Sequence, residues 1–357
     1  MKMGKMNKIG FELMALFLLT LVITTCERRP LEYDELPAAA KFEVKIDWSK
    51  SGINPYAGDG KGVHRVSFRF FSKDKKTYLF ERYLEDSKTE GEILVPLGSF
   101  SVIVYNESVD DQRTWWDGAI TFTDINNYDN FAANAVSYDA AQRTKLFPFY
   151  KPISGEQFIE EPLQLASWSI ENFVVTDNMI LVMQGAKPSY TLSEEETEMI
   201  DAFKNVVMRA LTRQVNITAR VENMVSAQTT YMAMRGFTNK VYMASGRTVN
   251  SPRTYLFILT GRKFDTGGKN GTMNGSFWSF GRVPVSSGES YQLAADVLFG
   301  TGELHKPPAP LLFDVTGQVI PDYNKKVPID LSIQYSLPYV EGGITVDDWV
   351  DEVYTLE

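Results

Sequence analysis

Lys41-Phe42-Glu43-Val44-Lys45-Ile46-Asp47-Trp48 alternates charged and apolar side chains at every step. A period of two puts Phe42, Val44, Ile46 and Trp48 on one face of an extended chain and leaves the charges in water, the pattern of a half-buried strand. Working outward, shorter runs of this kind follow at residues 65–71, 77–84, 92–96 and 100–106, separated by Gly-, Asp-, Ser- and Lys-containing turns. A second series opens at residues 214–222, where Val215, Ile217, Ala219 and Val221 alternate. It continues at 229–234, 241–244, 255–259, 276–280, 291–299, 311–315, 329–335 and 351–356. Many short strands at this spacing predict an all-β chain folded as antiparallel β-sandwiches.

Residues 115–162 interrupt the pattern with Asn- and Asp-rich stretches and a short helix expected near 130–143, and residues 178–183 read as the strand that closes the first domain. Ser193 with Glu196 three residues on is a capping box. Met199, Ile200, Phe203, Val206 and Val207 then share one helical face, which predicts a linker helix over about 193–207. The expected organisation is a segment 1–25, a tether 26–40, a first sandwich domain 41–190, a linker 191–212 that is helical and then extended, and a second sandwich domain 213–357.

The first segment has its own reading. Lys2, Lys5 and Lys8 precede an uncharged run of 11 residues from Leu13 to Ile23, and Cys26, the sole cysteine, follows. Spanning a bilayer takes about 20 residues, so the run is a signal-peptide core, and a bacterial lipoprotein signal ending before Cys26 is the expectation. A thiol there takes a diacylglyceryl thioether, and two or three acyl chains hold a protein firmly to a membrane. The expected location is the outer membrane, lipid-anchored through Cys26, with Glu27, Arg28 and Arg29 leaving either membrane face open. Cleavage removes three lysines and Glu12, a net +2, so the charge of −9 becomes −11. An acidic exported chain is a poor partner for nucleic acid.

Catalytic chemistry is thin. His64 and His305 are the two imidazoles, each among loop residues, and no cofactor motif is present; a non-enzymatic role is expected, with a histidine-based hydrolase as a minor alternative. Asp124, Asn126, Tyr128 and Asn130 are spaced like calcium ligands. Asp129 stands where the loop needs Gly and Ala135 where it needs Glu, so no metal site is expected. Residues 267–272 form a Gly-rich stretch that lacks the Gly-Lys-Ser/Thr ending of a phosphate loop and reads as a long hairpin loop. Trp115 and Trp116 make either a platform for sugar rings or a packed pair at a sheet edge.

Several stretches resemble a known family: Cys26-Glu27-Arg28-Arg29-Pro30-Leu31, Val44-Lys45-Ile46-Asp47-Trp48, Val95-Pro96-Leu97-Gly98-Ser99-Phe100, Arg209-Ala210-Leu211-Thr212-Arg213-Gln214 and Asp347-Asp348-Trp349. As an ordered set they are similar to a Bacteroidales lipoprotein family of unknown function, related to the FimB-like anchor and tip proteins of the fimbrillin-like group. The resemblance implies two tandem transthyretin-like β-sandwiches and an accessory, anchor or tip component of a fimbria-like assembly. It also implies fimbrial subunits as partners by strand addition, with edge strands and residues 345–357 as candidate elements. The alternative is a glycan-binding cell-envelope lipoprotein that uses Trp115 and Trp116.

Overall fold

The computed structural model describes residues 39–56, 63–84, 88–107, 120–148, 150–284, 290–299, 311–322 and 328–337. In chain order the elements are β1 (Ala39–Asp47), β2 (Arg65–Ser72), β3 (Tyr78–Leu84), β4 (Glu90–Pro96), β5 (Gly98–Glu107), β6 (Ile120–Thr123), β7 (Ala132–Ala135), α1 (Ala140–Leu146), β8 (Phe158–Ile159) and β9 (Ala166–Val175). Then come α2 (Asp177–Met183), α3 (Glu194–Lys204), β10 (Val206–Val207), β11 (Arg209–Ala210), β12 (Arg213–Glu222), β13 (Ala227–Thr238), β14 (Lys240–Tyr242) and β15 (Pro252–Leu259). The last are β16 (Gly261–Phe264), β17 (Gly271–Ser279), β18 (Gln292–Phe299), β19 (Leu311–Asp314), α4 (Thr316–Asp322) and β20 (Ile329–Ser336).

The alternation at residues 41–48 becomes β1 itself, whose side chains are buried and exposed in strict turn. β1 lies between β10 and β4, and this sheet faces a second one ordered β11-β9-β5-β2-β3. Phe42, Val44, Val66, Phe68, Val102, Val104 and Phe173 fill the space between them. The later half repeats the plan. β20-β12-β17 corresponds to β10-β1-β4, and β19-β18-β13-β15 corresponds to β9-β5-β2-β3. In both halves the first strand takes its last partner in parallel, β1 with β10 and β12 with β20. The protein is therefore all-β, two sandwiches of one connectivity in tandem.

The segment between β5 and β9 ties the halves together. β6 and β7 form a sheet with β14, and β8 adds in parallel to β15, so strands from the first half of the sequence pair with strands of the second. The cause is apolar: Tyr128, Phe131 and Ile120 need cover, and they find it against Phe71 and Tyr105 on the outer face of the first sandwich and in the core that continues through β12 and β13. β5 is consequently buried on both faces, Val102 and Val104 in one core, Ile103 and Tyr105 in the other. The described residues from Ala40 onward belong to one compact unit.

Three local expectations are corrected. Residues 178–183 are helix α2, not a strand: Thr176 accepts from the Met179 amide and caps it. The pattern misled because Met179 and Ile180 point inward from one helical turn. The helix expected near 130–143 starts later, at α1, where Asp139 and Gln142 make the capping box, and Ala132–Ala135 is strand β7. The helix expected over 193–207 ends at Lys204, and it does not bridge the halves. Its Phe203 is fully buried in the first core, 4.4 Å from Phe173 and 5.3 Å from Phe42 between ring centres.

Candidate functional site

A cleft of about 410 Å³ opens where the loop before β8 meets β13 and β15, lined by Ile153 to Gln157, Arg235, Gly236 and Pro252 to Thr254. Its floor is built from residues far apart in sequence. The Ile153 amide donates to Glu156 Oε2 at 3.1 Å, and Gly155 turns the loop at φ +79°, a conformation that favours glycine. These contacts aim Glu156 inward, where its carboxylate is 2% exposed. Arg235 Nε donates to Glu156 Oε1 at 2.7 Å, Thr254 Oγ1 donates to the same oxygen at 3.0 Å, and Tyr150 OH donates to the carboxylate at 3.2 Å. Arg235 Nη2 also donates to Tyr150 OH, at 2.9 Å.

Arg235 reaches this position because β13 bulges between Arg235 and Phe237. Gly236 sits at φ +105°, and a Cβ there would collide with the Ser290 carbonyl. Burial works to lower the Arg235 pKa, but the hydrogen bonds and charge of Glu156 and Tyr150 together outweigh it, and the guanidinium stays charged. Burial pushes the Tyr150 hydroxyl well above its ordinary range, with the Glu156 charge adding to the effect. Asp296, close by, is also raised by burial, partly offset by the Lys151 amide that donates to it at 3.1 Å. Every oxygen of Glu156 is thus held by donors, and the cleft presents hydrogen-bonding groups, with Arg253 beside them, rather than a free acid–base pair.

A second charged network lies on the face of β2 and β5 that meets β6 and β7. Arg65 and Ser67 hold Glu107, whose side chain is 4% exposed, and Arg69, Tyr83 and Tyr105 hold Glu81. Arg69 also lies 4.2 Å from the Tyr78 ring centre. Burial, with Glu81 alongside, pushes Tyr83 up to about 12. The pairs are matched in charge and close the wall between the two cores.

The residues singled out in the sequence scatter. Cys26, Trp115, Trp116, His305 and residues 345–357 lie outside the described residues. His64 is exposed at the entry to β2. Of the calcium-like series, Tyr128 packs its ring on Phe71 at 5.6 Å, and the neighbouring Asn127 side chain accepts from the Asp129 and Asn130 amides. Among the described residues no cluster of three or more His, Cys, Asp or Glu side chains could hold a metal ion, and no helix is long and apolar enough to cross a membrane. The cleft was not foreseen. The available signal was Arg235-Gly236 inside an otherwise apolar run, a charge where a buried strand should have none and a glycine marking a bulge.

The model of the family described as "Domain of unknown function (DUF5119)" matches residues 25–257. Among solved structures, the chain is similar to a "putative adhesin" from Bacteroides ovatus at 17% identity and TM-score 0.51, over 88% of this chain and 94% of that one. A "putative adhesin" from Bacteroides thetaiotaomicron aligns at 9% identity and TM-score 0.47 over 85% and 93%. The fimbrial anchor protein Mfa2 from Porphyromonas gingivalis aligns at 12% and 0.44 over 84% and 90%. No curated protein matches the sequence.

Proposed function

Because the chain belongs to the DUF5119 family, which names no activity, we propose its role from its own residues: a non-enzymatic, lipid-anchored outer-membrane lipoprotein that serves as an accessory, anchor or tip component of a fimbria-like assembly. The observation that carries the reading is the tandem-sandwich fold, shared over nearly the whole chain with the Bacteroides ovatus "putative adhesin". The signal before Cys26 supports the anchor, since a lipidated cysteine followed by a short tether holds a rigid β body at a membrane. Edge strands support the assembly role. β3 and β16 each end a sheet among the described residues, the place where an added strand pairs.

The test is surface proteolysis of intact cells carrying the wild-type chain or Cys26→Ala, followed by crosslinking and pull-down from the native outer membrane. The expected result is a membrane-held, protease-accessible wild type that crosslinks to fimbrial subunits, and a Cys26→Ala chain that leaves the membrane fraction. A wild type that is protected and captures no subunit would remove the assembly role.

A further inference from the structure

The cleft between the loop before β8, β13 and β15 is built around a guanidinium that the protein uses on one edge only. Arg235 carries five N–H donors in a fixed plane. The edge formed by Nε and Nη2 is engaged inside the protein, with Glu156 Oε1 at 2.7 Å and with the Tyr150 hydroxyl at 2.9 Å. Nη1 and the second hydrogen of Nη2 form the other fork of the same plane. Nη1 has no hydrogen-bond partner among the described residues, and it is not one of the side-chain atoms sealed from solvent without a partner. Arg235 lines the cleft with a side chain 13% exposed, so this fork is what it has left to offer a molecule there.

Arg253 lines the cleft too. Its Nη1 donates to the Pro252 carbonyl at 2.9 Å, and its other N–H groups have no partner among the described residues. Two guanidiniums against the single carboxylate of Glu156 leave the lining with a net charge of +1, in a chain whose net charge is −9. Asp296 accepts from the Lys151 amide and lies outside the lining. The remaining wall is mixed in chemistry: Ser154 and Gln157 are exposed and bring a hydroxyl and a carboxamide, and Ile153, half exposed, brings an aliphatic surface. The volume of about 410 Å³ lies in the range of small-molecule sites.

We propose that the cleft binds a hexuronate, a sugar acid that carries one carboxylate on a ring of hydroxyls. A carboxylate matches the open fork of Arg235 because its two oxygens accept two parallel N–H bonds from one planar guanidinium. Its single charge equals the net charge of the lining. A phosphate monoester would bring a charge of about −1.5 to −2 and meet the Glu156 carboxylate that shares the guanidinium. Sugar hydroxyls need partners that both donate and accept, which Ser154 and Gln157 are, and the C–H face of the ring needs an aliphatic wall, which Ile153 gives. Glu156 does not hold the sugar. Its oxygens are filled, and it fixes the plane of Arg235 so that the fork is set before the ligand arrives. A free hexuronate and the end residue of an acidic polysaccharide carry this chemistry alike.

The test is calorimetric titration of the purified full-length chain with glucuronate and galacturonate, against galactose, which lacks the carboxylate, and acetate, which lacks the ring. At least one uronate is expected to bind about tenfold or more tighter than both controls, and to weaken as salt rises. A trisaccharide that ends in the bound uronate, binding as tightly as the monomer, marks a polysaccharide end as the source, and binding of the monomer alone marks the free acid. Arg253→Gln and Ser154→Trp stay clear of the Glu156 bonds, and each is expected to weaken binding about tenfold with the melting temperature unchanged. Where Ser154→Trp fails to fold, Gln157→Trp serves as the plug. Uronates that bind no better than galactose and acetate, or that bind the folded plugged chain as well as the wild type, overturn the proposal.

Discussion

Phe203→Ala tests whether the helix after the first sandwich is a linker or part of its core. Phe203 is fully buried, and its ring lies 4.4 Å from Phe173, 5.3 Å from Phe42, 5.8 Å from Phe68, 6.0 Å from Trp168 and 6.5 Å from Phe70. Removing a ring at the meeting point of two sheets leaves a cavity bounded by strands that cannot collapse into it. The expected cost is about 3–5 kcal/mol, the upper range for truncating a buried phenylalanine. At roughly 2–4 °C per kcal/mol for a domain of this size, the melting transition should fall by about 6–20 °C. Denaturant unfolding followed by near-ultraviolet circular dichroism reads it, with Trp168 in contact as a local reporter. Glu195→Ala, on the exposed side of the same helix, should cost less than about 0.5 kcal/mol. A Phe203→Ala loss below about 1 kcal/mol would refute the packing argument and return the helix to the role of a free connector.

Glu156→Ala leaves the Arg235 guanidinium and Tyr150 hydroxyl without their shared acceptor, and should cost about 3–5 kcal/mol in equilibrium unfolding, against a much smaller cost for Glu156→Gln. Gly236→Ala forces a side chain into φ +105° against the Ser290 carbonyl. A loss of at least about 1–3 kcal/mol is expected, and a lowered melting temperature checks it. Tyr83 and Tyr138 both have their pKa raised by burial from 10.0 to about 12. A raised folded pKa means that stability is intact below pH 10 and is lost as pH rises toward 12, while the unfolded chain ionises first. Ultraviolet titration should show a late-ionising tyrosine class whose onset coincides with alkaline unfolding. Asp296, raised by burial, favours its protonated form in the fold. Asp296→Asn should therefore raise the melting temperature at neutral pH, and the gain should shrink as pH falls toward the ordinary carboxylate range.

Much of the fold was legible one strand at a time. β1, β12 and β20 each present one face to a core and one to water, and alternation carries that information within eight or nine residues. The capping box at Ser193 and the apolar row ending in Phe203 are likewise local signals of helix. Where local signals compete, the reading failed: Met179 and Ile180 lie on one helical turn, and a short apolar run does not distinguish helix from strand. The candidate cleft was not legible, because Glu156 lies 98 positions from Thr254, and both meet Tyr150 and Arg235 only through the pairing of β8 with β15 and the bulge in β13.

Sequence alone determined the all-β class and the sandwich pattern in each half, since each rests on periodicity within a short window. Tertiary structure decided what those windows could not contain. β6, β7 and β8 leave the first half of the sequence to pair with β14 and β15, Phe203 enters a core instead of a linker, and the Gln318 carboxamide bonds the Ser332 backbone of β20. Pairing partners, burial on the second face of a strand and the occupant of a sheet edge are properties of residues distant in the chain, and no local period encodes them.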